Sequence, residues 1–531
     1  MKKIAMLIVG LLFLGAQLVN AQNKTLTGTV ISSEDNQPLP GVNVIVKGTS
    51  QGTITDFDGK FTLSVASDAE ALVFSFMGMQ TQEVPVGSTT TFNITMDPET
   101  IGMDEVVVTA LGIKKEAKAL GYAVQEIKSE NLTRAASPDL SRAMQGKVAG
   151  VDIKVSSGMP GASAQFVIRG SRSFTGNNAP LYVVDGMPIE SGARSTGQSV
   201  TGSDFSNRSL DINPNDIESI NVLKGQAAAA LYGLRASNGV VVITTKSGKG
   251  GEKGKTIVTI SEDVSFDIVS RNPDYQTTYA QGSGGKYIPN SSMSWGPKIE
   301  DLPDDPTYGG NTENAYTDNG NDLHPGKYYV PQRAAAGLDP WLEPKSYNNW
   351  KDYFRTGVTA TTGVNISQAT EEGNYSLSLG NTTQDGIALN TGMRRWTGNA
   401  SAERKLGKYF TTGFNANYSN VNVDKLTGAN DASLQGAVMG PVSYDLKGTP
   451  YCKPDDPYTQ IYYRGLTFDN PYWVAKNNTF NEETNRFFGN ANVGFNIDLN
   501  ETMKLNAKYQ LGMDMYTTHY QDIWGYGSRG Q

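Results

Sequence analysis

The run RFFGNANVGFNIDLNETMKLNAKYQLGMDMY, residues 486–516, constrains the fold more than any other stretch. Phe487, Ala491, Val493, Phe495, Ile497 and Leu499 share one parity, and Asn490, Asn492, Asn496 and Asp498 hold the other. After Asn500-Glu501-Thr502 the pattern resumes, with Met503, Leu505, Ala507, Tyr509, Leu511 and Met513 opposed by Lys504, Asn506, Lys508, Gln510 and Asp514. Period-two alternation puts the apolar set on one face of a strand and the polar set on the other. Each segment alternates for 11 or more residues, whereas ordinary soluble strands run to about 5–6. The length suits tilted strands with one face on lipid and the other on a wet lumen. "VTISEDVSFDIV", "TGVNISQA", "NYSLSLGNT", "RWTGNASAER" and "KYFTTGFNANYSN" repeat the pattern less cleanly. A soluble sandwich is the alternative, and strand length with short turns alternating with long loops tells against it.

Bulk composition narrows the classes further. The 531 residues carry a formal charge of −8 and no long basic run, which argues against nucleic acid as a partner. The 25 Tyr, 18 Phe and 58 Gly favour a largely β chain. Cys452 is the only cysteine, so no intrachain disulfide can form. Lys2 and Lys3 precede an apolar run from Ile4 to Val19, and Val19-Asn20-Ala21 presents small residues for cleavage. Residues 1–21 therefore read as a secretory signal peptide. No other segment approaches 18 consecutive apolar residues, so only a barrel could span a membrane.

Between these ends the chain divides into modules. Residues 22–98 alternate in short strands broken at Pro-Leu-Pro-Gly, Lys-Gly-Thr and Asp-Gly, the pattern of a small β-sandwich. Its "DFDG" with Asp56 and Asp58 lacks the rest of a calcium loop and reads as a hairpin turn. Residues 99–112 form a linker holding "DEVVVTALG", a strand-former with nowhere local to pair. It either extends the sandwich edge or stays free to add itself to another protein's sheet. Residues 113–250 read as a mixed α/β module. "SPDLSRAMQGKVAG" predicts a helix capped at Ser137, with Leu140, Met144 and Val148 on one face. "LYVVDGMPIE" predicts a hairpin turning at Asp185-Gly186, and "QAAAALYG" a short helix stopped at Gly233.

Taken in this order, the pieces resemble the SusC/RagA family of TonB-dependent outer-membrane transporters. The pattern around Gly28, Gly41, Asp56, Asp58, Gly59 and Phe61 resembles the carboxypeptidase regulatory-like domain. The family's plug signatures are matched at Arg169, Gly170, Asp185, Gly186, Gly225, Tyr232, Gly233, Arg235, Asn238 and Gly239, with Leu234 a departure where a small residue is usual. The resemblance implies a mostly β fold: sandwich, mixed α/β plug, and the first strands of an antiparallel transmembrane barrel of about 22 strands. It identifies Asp104, Glu105, Val106, Val107, Val108 and Thr109 as the TonB box, gripped by TonB with its ExbB/ExbD complex. It further implies import of an oligosaccharide or peptide with a SusD-like surface lipoprotein, no cofactor, and sandwich, box and plug on the periplasmic side of the outer membrane. Arg169 and Arg235 are candidates for ion pairs with barrel-wall carboxylates, or are simply exposed on the plug.

Other functions fit these residues less well. Two histidines, His324 and His519, and no nucleophile or metal motif leave little room for an enzyme. A surface adhesin has no use for a TonB box, and a TonB-dependent signal transducer needs a further module that 22–98 does not supply. The substrate-binding residues are not legible. Tyr287, Trp295, Tyr308, Trp341 and Trp350 in 270–350 suit sugar stacking, but loop packing or a membrane-interface girdle suits them better. Residues 251–531 show about seven strands, and a barrel of about eight holds only its own side chains, so an unclosed sheet with a free edge near 503–516 is expected from the N-terminal part of a longer transporter.

Overall fold

The computed structural model describes residues 23–529 except 34, 50, 67–68, 77–78, 98–105, 109–113, 117–123, 135, 172–177, 193–203, 225–228, 272, 305–316, 319–320, 323, 427–432, 466–467 and 499–502. It separates into two compact units, the sandwich and the remainder. In the sandwich, strand Asn23–Ser32 pairs antiparallel with Lys60–Ala66 and parallel with Thr91–Met96. The facing sheet runs in the order Gly52–Ile54, Asn43–Val46, Ala71–Ser75, Gln82–Pro85. Alternation sends Leu26, Val30, Val44, Phe61, Leu63, Leu72 and Phe74 into one core. Gly28 is required there, because a Cβ would lie 2.3 Å from the Phe92 carbonyl oxygen. Asp56 accepts from the backbone amides of Asp58 and Lys60 at 3.0 and 2.8 Å, so "DFDG" is a hairpin turn.

The second unit is a plug module against a wall. Five strands form the plug sheet in the order Val124–Lys128, Ile217–Leu223, Val240–Thr245, Leu181–Val184, Met187–Ile189. Ile127, Ile220, Val222, Val241 and Ile243 bury one face beneath Leu132, Leu140 and Met144. The expected helix is shorter than its sequence suggests and starts later. It spans Leu140–Met144, and its cap is Asp139, whose carboxylate accepts from the Ser141 amide at 2.8 Å, not Ser137. Asp139 follows a proline that fixes the chain before it, so the carboxylate meets the free amide first. Leu140, Met144 and Val148 nonetheless share the core.

Seven antiparallel strands make the wall: Thr256–Asp267, Gly357–Ala369, Gly373–Asp385, Gly392–Leu406, Phe410–Lys425, Thr479–Asp498 and Lys504–Ile523, each paired with the next. They run to 12–20 residues, longer than the ~9–11 a tilted membrane strand needs. Val258, Ile260, Leu377, Leu379, Trp396, Phe414, Val493 and Leu511 are exposed on the outer face. Thr361, Ser378, Arg395, Asn399, Asn417, Arg486 and Asn490 are buried on the inner one. The sheet is not closed: Thr256–Asp267 and Lys504–Ile523 each pair on one side among the described residues. No helix is long and apolar enough to cross a membrane among them. Long connections, 268–356 and 426–478, lie at one end of the wall and short turns such as 370–372 at the other. Near the short-turn end Tyr375, Tyr409 and Phe410 are exposed, an aromatic girdle in position and type.

The complete core of the sandwich implies autonomy. A segment 23–97 expressed alone should unfold cooperatively by circular dichroism, and Phe74→Ala should lower its stability by about 3–5 kcal/mol. An unstructured spectrum for the unaltered segment would refute this.

Candidate functional site: the plug–wall interface

The Asp185-Gly186 turn reaches the wall by its backbone. Asp185 and Gly186 have φ of 47° and 84°, the paired positive angles of a tight hairpin turn. The Asp185 carboxylate accepts from the Thr245 amide and hydroxyl at 2.9 and 2.8 Å, while burial pushes its pKa up. Its carbonyl accepts from Gln510 at 3.2 Å and Asn490 at 3.5 Å, both on wall strands. A side chain on Gly512 would run into Met187 of the same hairpin, with 2.2 Å from Cβ to sulfur. The turn docks the plug and holds no reactive arrangement.

Charge fixes the neighbouring contact. Plug residue Arg208 donates to wall residues Glu482 at 2.6 Å and Thr484 at 2.5 Å, and pairs with Asp211 at 3.5 Å. Lys425 lies 3.5 Å from the other Glu482 oxygen and donates to the Asp204 carbonyl at 2.7 Å. Arg486, on the wall, donates to Asp211 at 3.1 Å and to the Glu190 carbonyl at 2.7 Å, and grips Asp514 through two nitrogens at 2.9 and 2.8 Å. Three cations thus meet three carboxylates, and Arg486 and Glu482 are each 1 % exposed. Arg395 adds bonds from the wall to the carbonyls of Pro138 at 2.7 Å and Leu210 at 2.9 Å. Phe205 packs edge-on against Phe480 and Tyr520, and Phe488 enters the plug core.

The expected ion pairs lie elsewhere. Arg169 and Arg235 are exposed and make no ion pair among the described residues. Arg169 has a φ of 57° and donates its amide to the Gly150 carbonyl, a turn role. Gly170 and Gly233 have φ of 89° and 73°. Gly239, at 100°, stops Val240–Thr245 from colliding with Ile168, whose Cδ1 would be 2.8 Å from a Cβ. Asn238 donates to the Ala179 carbonyl, and Tyr232 is half-buried beside the cluster of Leu181, Val183 and Val240. Gly225, Asp104, Glu105 and Thr109 lie outside the described residues. Val106–Val108 does have a local partner, a two-stranded ladder with Lys114–Glu116, contrary to the expectation of none. Lys-Lys-Glu is too polar to read as a strand.

Comparison with known proteins decides the family. Residues 26–108 match the CarboxypepD_reg-like domain, and 116–240 the TonB-dependent Receptor Plug Domain. The chain is 30 % identical to TonB-dependent receptor SusC of Bacteroides thetaiotaomicron, over 96 % of this chain and 46 % of that protein. It is 42 % identical to TonB-dependent receptor P39 of Formosa agariphila, over 47 % of this chain and 22 % of that one. It shares its fold with the RagAB peptide importer in the open-open state, at a TM-score of 0.53 and 23 % identity, over 78 % of this chain and 42 % of that one. This chain belongs to the SusC/RagA-type TonB-dependent transporters. It spans less than half the length of these relatives.

Within this SusC/RagA-type chain the loop aromatics divide. Tyr287 is buried edge-on against Tyr328, Trp350 packs against Phe354, and Trp341 stacks on His324 at 3.9 Å, so three of the five pack loops. Trp295 is exposed beside Tyr279, with centroids 6.4 Å apart, and Tyr308 lies outside the described residues. The residues that sequence reasoning missed are Arg208, Asp211, Lys425, Glu482, Arg486 and Asp514. Glu482, Thr484 and Arg486 share the parity of Asn490, so two charges on the inner face of one strand were a usable signal.

Two outcomes follow from this interface. Arg486→Met leaves Asp514 without its cation and Asp211 with Arg208 alone, which should weaken plug seating by about 3–5 kcal/mol. Faster hydrogen exchange across 181–190 should report it, with partial recovery in Arg486→Met/Asp514→Asn. Burial raises Asp216 to about 6 from 3.8, against the opposing pull of Lys246 and Arg395. The folded state therefore holds this proton more tightly than the unfolded chain, so the Asp216 contribution to folding is fully present below 3.8 and is lost as pH rises through about 6. Asp216→Asn should flatten that part of the pH profile of thermal unfolding.

Proposed function

We propose that the protein acts in TonB-dependent import of a nutrient, an oligosaccharide or a peptide, across the outer membrane, with a SusD-like surface lipoprotein as partner. The observation that carries the reading is the plug seated by buried ion pairs against the polar inner face of a sheet whose outer face is apolar. A module held by charges and hydrogen bonds can leave its seat, because water takes up each released group, whereas an apolar seal resists exposure. In this reading the sandwich, TonB box and plug face the periplasm, and the long connections 268–356 and 426–478 face outward. Trp295 with Tyr279 is the candidate for substrate stacking, since both rings are exposed on one hydrogen-bonded loop.

TonB, drawing on the ExbB/ExbD complex, would grip residues 104–109 by strand addition. Val106–Val108 is already extended, and its three-residue ladder is short enough to be replaced by a longer one with a partner. Val107→Pro removes a backbone donor from that ladder. The variant should reach the outer membrane in normal amount, lose binding to the periplasmic domain of TonB, and fail to support growth on any glycan or peptide that the unaltered protein supports. Binding and growth equal to the unaltered protein would overturn the proposal.

A further inference from the structure

Asn221 is 0 % exposed, and neither its side-chain oxygen nor its nitrogen has a hydrogen-bond partner. Buried amides are almost always satisfied, so such a group calls for an explanation. The residue sits in Ile217–Leu223, on the same face as Ser219 and Leu223 and directly opposite Val242. Val242 in turn lies opposite Val183, and both belong to an apolar cluster with Leu223. A leucine or valine would fill this place without leaving a polar group dry, so packing does not account for the asparagine.

Topology supplies an account. On its other side Asn221 pairs with Glu126 at the centre of Val124–Lys128. That strand is the end strand of the plug sheet, with Ile217–Leu223 as its one neighbour in the sheet among the described residues. It is also the first strand of that sheet in the chain, so a pull from the N-terminal side reaches it before any other. Lifting it exposes the flank of Asn221 and lets water satisfy the amide. The dry amide raises the free energy of the seated sheet and not of the opened one.

We propose that Asn221 is a built-in yield point that lets Val124–Lys128 peel from the plug sheet. The weakness belongs to the sheet itself, and its use in transport rests on the import reading above. Hydrogen exchange on the full chain in detergent micelles tests it, comparing the unaltered protein with Asn221→Leu and Asn221→Val. The lost unsatisfied amide should slow exchange of the 124–128 amides by roughly 5- to 100-fold, while the separate ladder Val151–Val155 with Ala164–Ile168 is unchanged. Two variants guard against poor fit of one side chain. Exchange no slower in either, with the second ladder intact, would overturn the proposal. Slower exchange together with unaltered TonB-dependent growth would keep the yield point and overturn its use in transport, whereas TonB-independent growth of the unaltered protein would count against the import reading alone, so the two fail separately.

Discussion

Arg486 is the contact on which the seating of the plug turns. Its guanidinium is completely enclosed and bonded at once to Asp211 of the plug, Asp514 of the next wall strand and the Glu190 carbonyl. A buried guanidinium has no neutral form to fall back on, so each donor left without an acceptor costs free energy. The seated plug supplies three of them, the Asp211 carboxylate and the Arg208 and Glu190 carbonyls. Buried charge networks contribute little net stability compared with apolar packing, but they penalise every misplacement heavily. The network therefore sets register more than it adds cohesion, and Arg208 with Glu482 and Lys425 repeats the device one turn of chain away.

The wall makes that network possible. Its strands alternate so strictly that a slip of one residue would turn Glu482 and Arg486 to the outside and Phe487 inward. Outside, exposed Leu379, Phe414, Val493 and Leu511 need an apolar surrounding. Inside, asparagine, serine and threonine line the surface on which the plug rests, and Asn399, Asn417 and Asn415 bond in a chain that ends on Thr245 of the plug. One period-two pattern thus decides both what the sheet can lie in and what it can hold.

Much of this is legible in the sequence, and the parts that are not have a common cause. The hairpin at Asp185-Gly186 could be read because its turn is dictated by two adjacent residues, and the wall strands because alternation is local. The cap at Asp139 in place of Ser137 was missed because two candidate caps stand two residues apart, and the outcome depends on where Pro138 directs the chain. The partner of Val106–Val108 was missed because Lys114–Glu116 becomes a strand by pairing and not by propensity. The charge network was invisible because parity says which way Glu482 and Arg486 point, but not that Arg208, 274 residues earlier in the chain, waits there. Arg169 and Arg235 drew attention as arginines beside plug signatures, and both lie on the surface.

The two ends of the plug answer to different physics. Where it meets Thr479–Asp498 and Lys504–Ile523 it is pinned by ions, hydrogen bonds and the fit of Met187 at Gly512. At Val124–Lys128 it ends in a strand held by one ladder over a dry asparagine. A pull arriving from the N-terminal side meets that weaker edge first, and the ion-paired seat only after the sheet has begun to open. The sequence places the softer contact before the harder one, the order that the proposed import would need of a plug that must both seat and be opened.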